Sequence, residues 1–138
     1  MKEPQSSREF IDQIGAGISE EEKAFYEESR KRQLTLKPFK EYILVLDWMD
    51  IGHAINSVGH AVLIGHKNWS DDPEYRDWYK NYFRKVTCKV TQAEFEKAKE
   101  YEDFAIVTES AFDNKEVALI FKPRREWPKF FNFLKLYK

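Results

Sequence analysis

An apolar run that turns directly into a helical pattern most constrains how this chain can fold. Residues 43–46 are apolar on four successive positions, which predicts a strand over residues 42–48 that is buried on both faces. After Met49 and Asp50, apolar residues recur at helical spacing over residues 51–67, so this segment predicts a helix with one face against a sheet. A strand followed at once by a packed helix is typical of an α/β domain.

Polar side chains form a second stripe on the predicted helix. At about 100° per residue, His53, Ser57 and His60 fall within roughly 60° of one another, along one edge. This edge begins at the positive end of the helix, where anions commonly bind. Alternatively, the three residues only line a half-buried helix. One metal shared by the two imidazoles is not expected, because seven residues of helix separate them by about 10 Å.

The remaining elements alternate in a way that indicates an α/β fold. From residue 42 onward the predicted order is strand, helix, helix, strand, helix, strand, strand, helix. Residues 91–94 match a capping box, and residues 113–115 predict a hairpin turn between strands over residues 104–108 and 116–121. We therefore predict a three-layer sandwich with a mixed four-stranded sheet over residues 42–138.

Residues 1–41 form a charged segment with two helix-start signatures. Residues 6–9 and 19–22 each match the S-x-x-E capping pattern, which predicts two helices. Apolar residues are sparse there, so we predict an N-terminal helical extension that is stable only when docked on the domain or on a second chain. A homodimer formed through this extension is compatible with the pattern.

Charge and cysteine content limit the setting of the chain. The formal net charge of −1 argues against a dedicated nucleic-acid coat and against a polybasic membrane anchor. Basic residues nevertheless concentrate in residues 79–90 and 122–138, which either form one patch or are ordinary solvated faces. The single Cys88 is interpreted as a small buried hydrophobe. Without a long apolar stretch or a signal-peptide pattern, we expect a cytoplasmic protein and no membrane partner.

Three segments keep the order and spacing found in one known family. Residues 52–61 read G-H-A-I-N-S-V-G-H-A, residues 85–90 read K-V-T-C-K-V seven positions after Trp78, and residues 134–137 read L-K-L-Y. They resemble the G-K-x-x-x-Q-x-x-H-A, K-V-V-x-K-V and L-K-L-Y segments of type 2 peptidyl-tRNA hydrolases. These small α/β enzymes free peptides from prematurely released tRNA. The resemblance extends over about 70% of the chain.

The departures from the family fall at its chemical positions. His53 stands at the essential lysine position, Ser57 at the glutamine position, and Glu109 at the aspartate position, whereas His60 keeps the family pattern. The resemblance therefore implies a retained scaffold with a substituted catalytic set of His53, Ser57, Glu109 and His60. We expect His53 with Glu109 to activate a water, and Ser57 to position it or donate to the oxyanion. A nucleophilic Ser57 is disfavoured in the middle of a helix.

The resemblance implies hydrolysis of the ester between peptide and tRNA, with weak or altered activity. The expected partner is tRNA or another acyl-linked substrate, and the expected phosphate-binding residues are Lys85, Lys89, Arg124 and Arg125. A catalytically silent binding or regulatory domain on the same fold is the alternative. A third hypothesis is an enzyme acting on a small molecule. We predict no metal and no cofactor, because the chain has no Gly-rich phosphate loop and no Cys/His ligand set.

Overall fold

A computed structural model of the chain describes residues 19–35 and 39–138, except for the side chains of residues 29–35. By internal contacts the chain divides into two compact units, Met1–Pro38 and Phe39–Lys138. In the first unit, helix α1 spans Glu20–Thr35, and the Ser19 hydroxyl accepts a hydrogen bond from the Glu22 amide at 3.1 Å. The helix predicted to start near Ser6 lies outside the described residues.

The second unit is built on one mixed sheet of five strands in the order β3-β4-β1-β2-β5. The strands are β1 (Lys40–Leu46), β2 (Arg84–Val90), β3 (Phe104–Glu109), β4 (Lys115–Arg124) and β5 (Lys135–Leu136). Strand β1 pairs parallel with β2, and the other pairs are antiparallel. The predicted buried strand is confirmed as the central β1. The boundary predicted after residue 41 falls within this strand.

The expected sheet had four strands, and the structure adds the short β5. The chain end pairs with β2 through Cys88 with Leu136 and Lys89 with Lys135. Two residues are too few to show the alternation that predicts a strand, so this pairing has no local signal in the sequence. Cys88 is buried, as predicted.

The helices begin where capping residues stand in the sequence. They are α2 (Ile51–Trp69), α3 (Pro73–Asn81), α4 (Gln92–Ala98) and α5 (Lys129–Asn132), with a 3₁₀ turn at Ser110–Phe112. Asp50 caps α2, Asp72 caps α3, and Thr91 with Glu94 forms the predicted capping box of α4. No helix within the described ranges is long and apolar enough to cross a membrane.

Adjacent residues of β4 show that chain packs on both faces of the sheet. Side chains of neighbouring strand residues point to opposite faces, so Ile120 and Phe121 face apart. A Cβ placed on Gly65 of α2 would lie 3.1 Å from Ile120 Cδ1, while the Phe121 ring lies 5.0 Å from the Phe131 ring of α5. Helix α2 therefore lies on one face and α5 on the other. The finer description as a three-layer sandwich stays a prediction.

Candidate functional site

His53 is held at the start of α2 by its own helix cap. One carboxylate oxygen of Asp50 accepts the His53 amide at 2.9 Å and lies 2.7 Å from His53 Nδ1. The hydrogen bond from this amide is the main reason that the pKa of Asp50 lies below its ordinary value. The imidazole also lies against the ring of Phe112, with ring centroids 4.7 Å apart. His53 is thus fixed by a local turn and by one aromatic ring.

Ser57 is fully buried and uses its hydroxyl inside the protein. Ser57 Oγ donates to the carbonyl oxygen of His53 at 2.8 Å and lies 3.7 Å from Met49 Sδ. Its exposed fraction is 0%. A serine that bonds back to the preceding helical turn satisfies its own donor there. In this arrangement Ser57 reaches neither a surface substrate nor a developing oxyanion, so the structure places it in the core.

His60 and Glu109 are in contact between α2 and the end of β3. His60 Nε2 lies 3.2 Å from Glu109 Oε2, with 51% of the histidine side chain and 11% of the glutamate side chain exposed. His60 Nδ1 has no hydrogen-bond partner among the described residues. Contact of a buried carboxylate with one ring nitrogen leaves the other nitrogen available to accept a proton. This geometry suits general acid–base chemistry.

The pairing therefore differs from the expected one. The sequence predicted His53 with Glu109, whereas the structure pairs His53 with Asp50 and Glu109 with His60. The two histidines share one helix edge but stand about 10 Å apart along the axis, so one carboxylate can contact only one of them. The Asp50 contact was missed, although an aspartate directly before a helical pattern is a signal for an N-cap.

The four predicted phosphate-binding residues do not form one patch. Lys85 donates to the Phe83 carbonyl at 3.1 Å, and burial lowers its pKa. Lys89 lies over a tyrosine ring, and Arg125 forms an ion pair with Asp77 at 3.1 Å. Arg124 lies over the ring of Trp127. Arg84 is level with Lys40, and Lys40 is level with Arg124, so these three side chains point to the same face of the sheet. Lys85 follows Arg84 on β2 and therefore points to the opposite face.

An apolar cavity of about 280 Å³ lies beside α2, away from the His60–Glu109 contact. It is lined by Ala54, Ile55, Val58, Thr87 and Tyr137. Val58 and His60 are two residues apart, which places them about 200° apart around the helix. The cavity and the His60–Glu109 pair therefore lie along different edges of α2, and the pair faces solvent instead.

The residues that the structure describes include no candidate metal site, because no three or more potential metal ligands are clustered there. No protein-family model matches the chain, and no curated protein is significantly similar to it.

Proposed function

We propose that this protein is a divergent relative of the type 2 peptidyl-tRNA hydrolases that cleaves the ester between a peptide and tRNA slowly, with His60 as its acid–base group. The contact of the half-exposed His60 with the buried Glu109 carries the proposal. The pair joins two separate elements, and it presents an oriented imidazole at an open surface. An open surface suits a macromolecular ester better than a small molecule, which needs an enclosing pocket.

The proposed reaction follows from the two ring nitrogens. Glu109 accepts the hydrogen of Nε2 and holds the neutral tautomer, so that Nδ1 takes a proton from water as the water oxygen attacks the ester carbonyl. Glu109 then stabilises the imidazolium. When the tetrahedral intermediate collapses, the bond between the carbonyl carbon and the ribose oxygen breaks. The ribose oxygen receives the proton from His60, which releases the peptide acid and free tRNA.

The rate should be low because the residues at two of the family's catalytic positions are engaged in contacts inside the protein. His53 replaces the family's lysine, and its Nδ1 is bonded to Asp50, while Ser57 is buried. Loss of one electrostatic stabiliser typically lowers the rate by about 10²–10³. With two changed, we expect a rate at least 10²-fold below that of a family enzyme.

A catalytically silent binding or regulatory domain is the second candidate. It is favoured by the same engagement of His53 and Ser57 in purely internal contacts. In this case the His60–Glu109 contact only ties α2 to the end of β3. The scaffold would then bind an acyl-linked RNA without cleaving it.

The proposal also includes the layer arrangement of the domain, its location in the cell and the role of the N-terminal extension. The domain would be a three-layer sandwich, supported by α2 on the Ile120 face and α5 on the Phe121 face. The location would be cytoplasmic, which fits a thiol at Cys88 that is buried and unpaired. The N-terminal extension would supply a partner or dimer surface.

A direct cleavage assay separates the two candidates. The full chain is incubated with peptidyl-tRNA beside a type 2 peptidyl-tRNA hydrolase, and release of peptide is followed over time. We expect slow release above the uncatalysed rate. Release indistinguishable from the uncatalysed rate would support the silent domain. A rate comparable to that of the family enzyme, abolished by His53→Ala, would contradict the assignment of His60.

A further inference from the structure

Three cations stand side by side at the end of the sheet where β1 begins. Lys40 of β1 is in register with Arg84 of β2 on one side and with Arg124 of β4 on the other. Residues level with each other on neighbouring strands point to the same face and lie about 5 Å apart. The three side chains therefore leave the sheet from a row of Cα atoms about 10 Å long, here called the basic row.

No member of the basic row forms an ion pair within the described residues, although Arg124 lines a cavity together with Glu102, Asp103 and Glu126. The nearby Lys122 and Arg125, in contrast, are paired with Asp72 and Asp77. Like charges level with each other on adjacent strands repel. Unlike the paired cations beside them, these three therefore gain most from an anion supplied by another molecule.

Two aromatic rings and one indole nitrogen hold two members of the row, Lys40 and Arg124, in place. Lys40 Nζ lies 5.1 Å from the centroid of the Tyr42 ring, and the Arg124 guanidinium lies 5.4 Å from that of Trp127. Trp127 Nε1 donates to the backbone oxygens of both Lys40, at 3.2 Å, and Arg124, at 3.0 Å. The ends of β1 and β4 are thus tied together, so the two cations are ordered before any ligand arrives.

We propose that the basic row of Lys40, Arg84 and Arg124 binds the phosphate backbone of an RNA. A row about 10 Å long is longer than one phosphate group, so it fits a chain of phosphates better than a single anion. Arginine forks bind phosphate oxygens in pairs, which suits two of the three members. The choice of RNA over another polyanion rests on the proposed function, whereas the row itself does not.

The position of the row gives it a separate role from the His60–Glu109 contact. Alternation along β1 places Lys40 on the same face of the sheet as Tyr42, which is the face opposite α2. Lys40 also stands at the start of β1, whereas α2 begins after the end of this strand. The row therefore contacts RNA away from the ester. A long substrate such as tRNA would be held at one place and cleaved at another.

Binding of deacylated tRNA to the full chain tests the row without requiring cleavage. The affinity is measured by fluorescence anisotropy at several salt concentrations. The variant Lys40→Met, Arg84→Met, Arg124→Met should reduce the magnitude of the log–log salt slope by about 2–3 and lower the affinity at least tenfold at low salt. The control Lys67→Met, Arg76→Met, Lys80→Met removes the same charge from exposed positions and should change both far less.

Each outcome bears on the proposal. An unchanged slope in the row variant, or an equal loss in the control, would overturn it. Heparin bound as tightly as tRNA would overturn the assignment to RNA. If the triple variant fails to fold, Arg84→Met alone, at an exposed position, should reduce the slope by about one, and no reduction would overturn the proposal. His60→Gln should bind tRNA normally, so loss of cleavage and loss of binding are distinguished.

Discussion

The imidazole of His60 lies 3.2 Å from the carboxylate of Glu109, and this contact joins the third turn of α2 to the last residue of β3. The carboxylate is almost entirely buried, while half of the imidazole faces solvent. A fixed acid partner behind an accessible ring is the arrangement from which general acid–base catalysis is built.

Replacement of Ser57 by alanine should leave cleavage almost unchanged. The Ser57 hydroxyl is buried and donates to the His53 carbonyl, so it takes no part in the proposed reaction. The free energy of unfolding should fall by about 0.5–1.5 kcal/mol with the lost hydrogen bond. Peptide release and urea unfolding measure the two effects. A loss of activity of 10²-fold or more in a folded Ser57→Ala variant would restore the serine to the catalytic set.

Glu41 should make the protein less stable as the pH rises. Its side chain is 1% exposed, its Oε2 has no hydrogen-bond partner among the described residues, and Lys85 is level with it on β2. Burial raises the pKa of Glu41 from 4.5 to about 8, partly offset by the charge of Lys85. Because the folded state holds this proton more tightly, its stabilising effect is full below pH 4.5 and is lost as the pH rises through about 8.

The variant Glu41→Gln keeps the neutral shape and should remove this dependence. Between pH 5 and pH 8 the parent loses up to about 1.4 kcal/mol per pH unit, so the variant should become more stable than the parent by on the order of 2–4 kcal/mol at pH 8. Urea unfolding at each pH measures the difference, and Glu102→Gln at an exposed position is the control. Parallel curves for the parent and Glu41→Gln would show that Glu41 is ionised at neutral pH.

Two glycines of α2 should respond to alanine in opposite directions. A Cβ on Gly65 would lie 3.0 Å from Trp69 Cζ3 and 3.1 Å from Ile120 Cδ1, while a Cβ on Gly59 would meet nothing within 4 Å. Gly65→Ala should therefore destabilise by about 1–3 kcal/mol, because the helix must move away from the sheet. Gly59→Ala should stabilise by up to about 1 kcal/mol through helix propensity. Equal effects in thermal unfolding would mean that α2 does not approach β4 as closely as described.

The cap of α2 should contribute stability only above acidic pH. The pKa of Asp50 is lowered, chiefly by the His53 amide, so its contribution is present above its ordinary value of 3.8 and is lost as the pH falls through the lower folded value. Asp50→Ala should lower the unfolding midpoint in urea at pH 7, and the difference should shrink below pH 3.8. Asp47→Ala, in the preceding turn, is the control. A difference that is the same at pH 7 and pH 3 would exclude an ionised cap.

The elements that the sequence predicted are those with strong local signals. Apolar runs or capping residues within a short segment indicate the buried β1, the long α2 and the capping box at Thr91. The same holds for the hairpin, where Asp113 and Asn114 take positive φ values of 54° and 58° before β4. Local patterns were sufficient for these elements because their geometry is set by neighbours in sequence.

The contacts that were missed depend on packing between distant segments. Helical spacing placed His53 and His60 on one edge, but only the docking of α2 against β3 decides which of them Glu109 contacts. The basic row was missed for the same reason, since Lys40, Arg84 and Arg124 come from three strands whose register the sequence does not fix. The predicted phosphate-binding patch contained both Lys85 and Arg124. These side chains lie on opposite faces of the sheet, because successive residues of a strand alternate between the faces.

The most direct test of the central claim is the rate of peptide release from peptidyl-tRNA by three single variants. His60→Gln and Glu109→Gln each remove one side of the His60–Glu109 contact, whereas His53→Gln removes the neighbouring imidazole on the same helix edge. Circular dichroism confirms that each variant is folded. We predict that the first two lower the rate by about 10²-fold or more and that His53→Gln changes it by less than about tenfold. Full activity in His60→Gln together with its loss in His53→Gln would contradict the account.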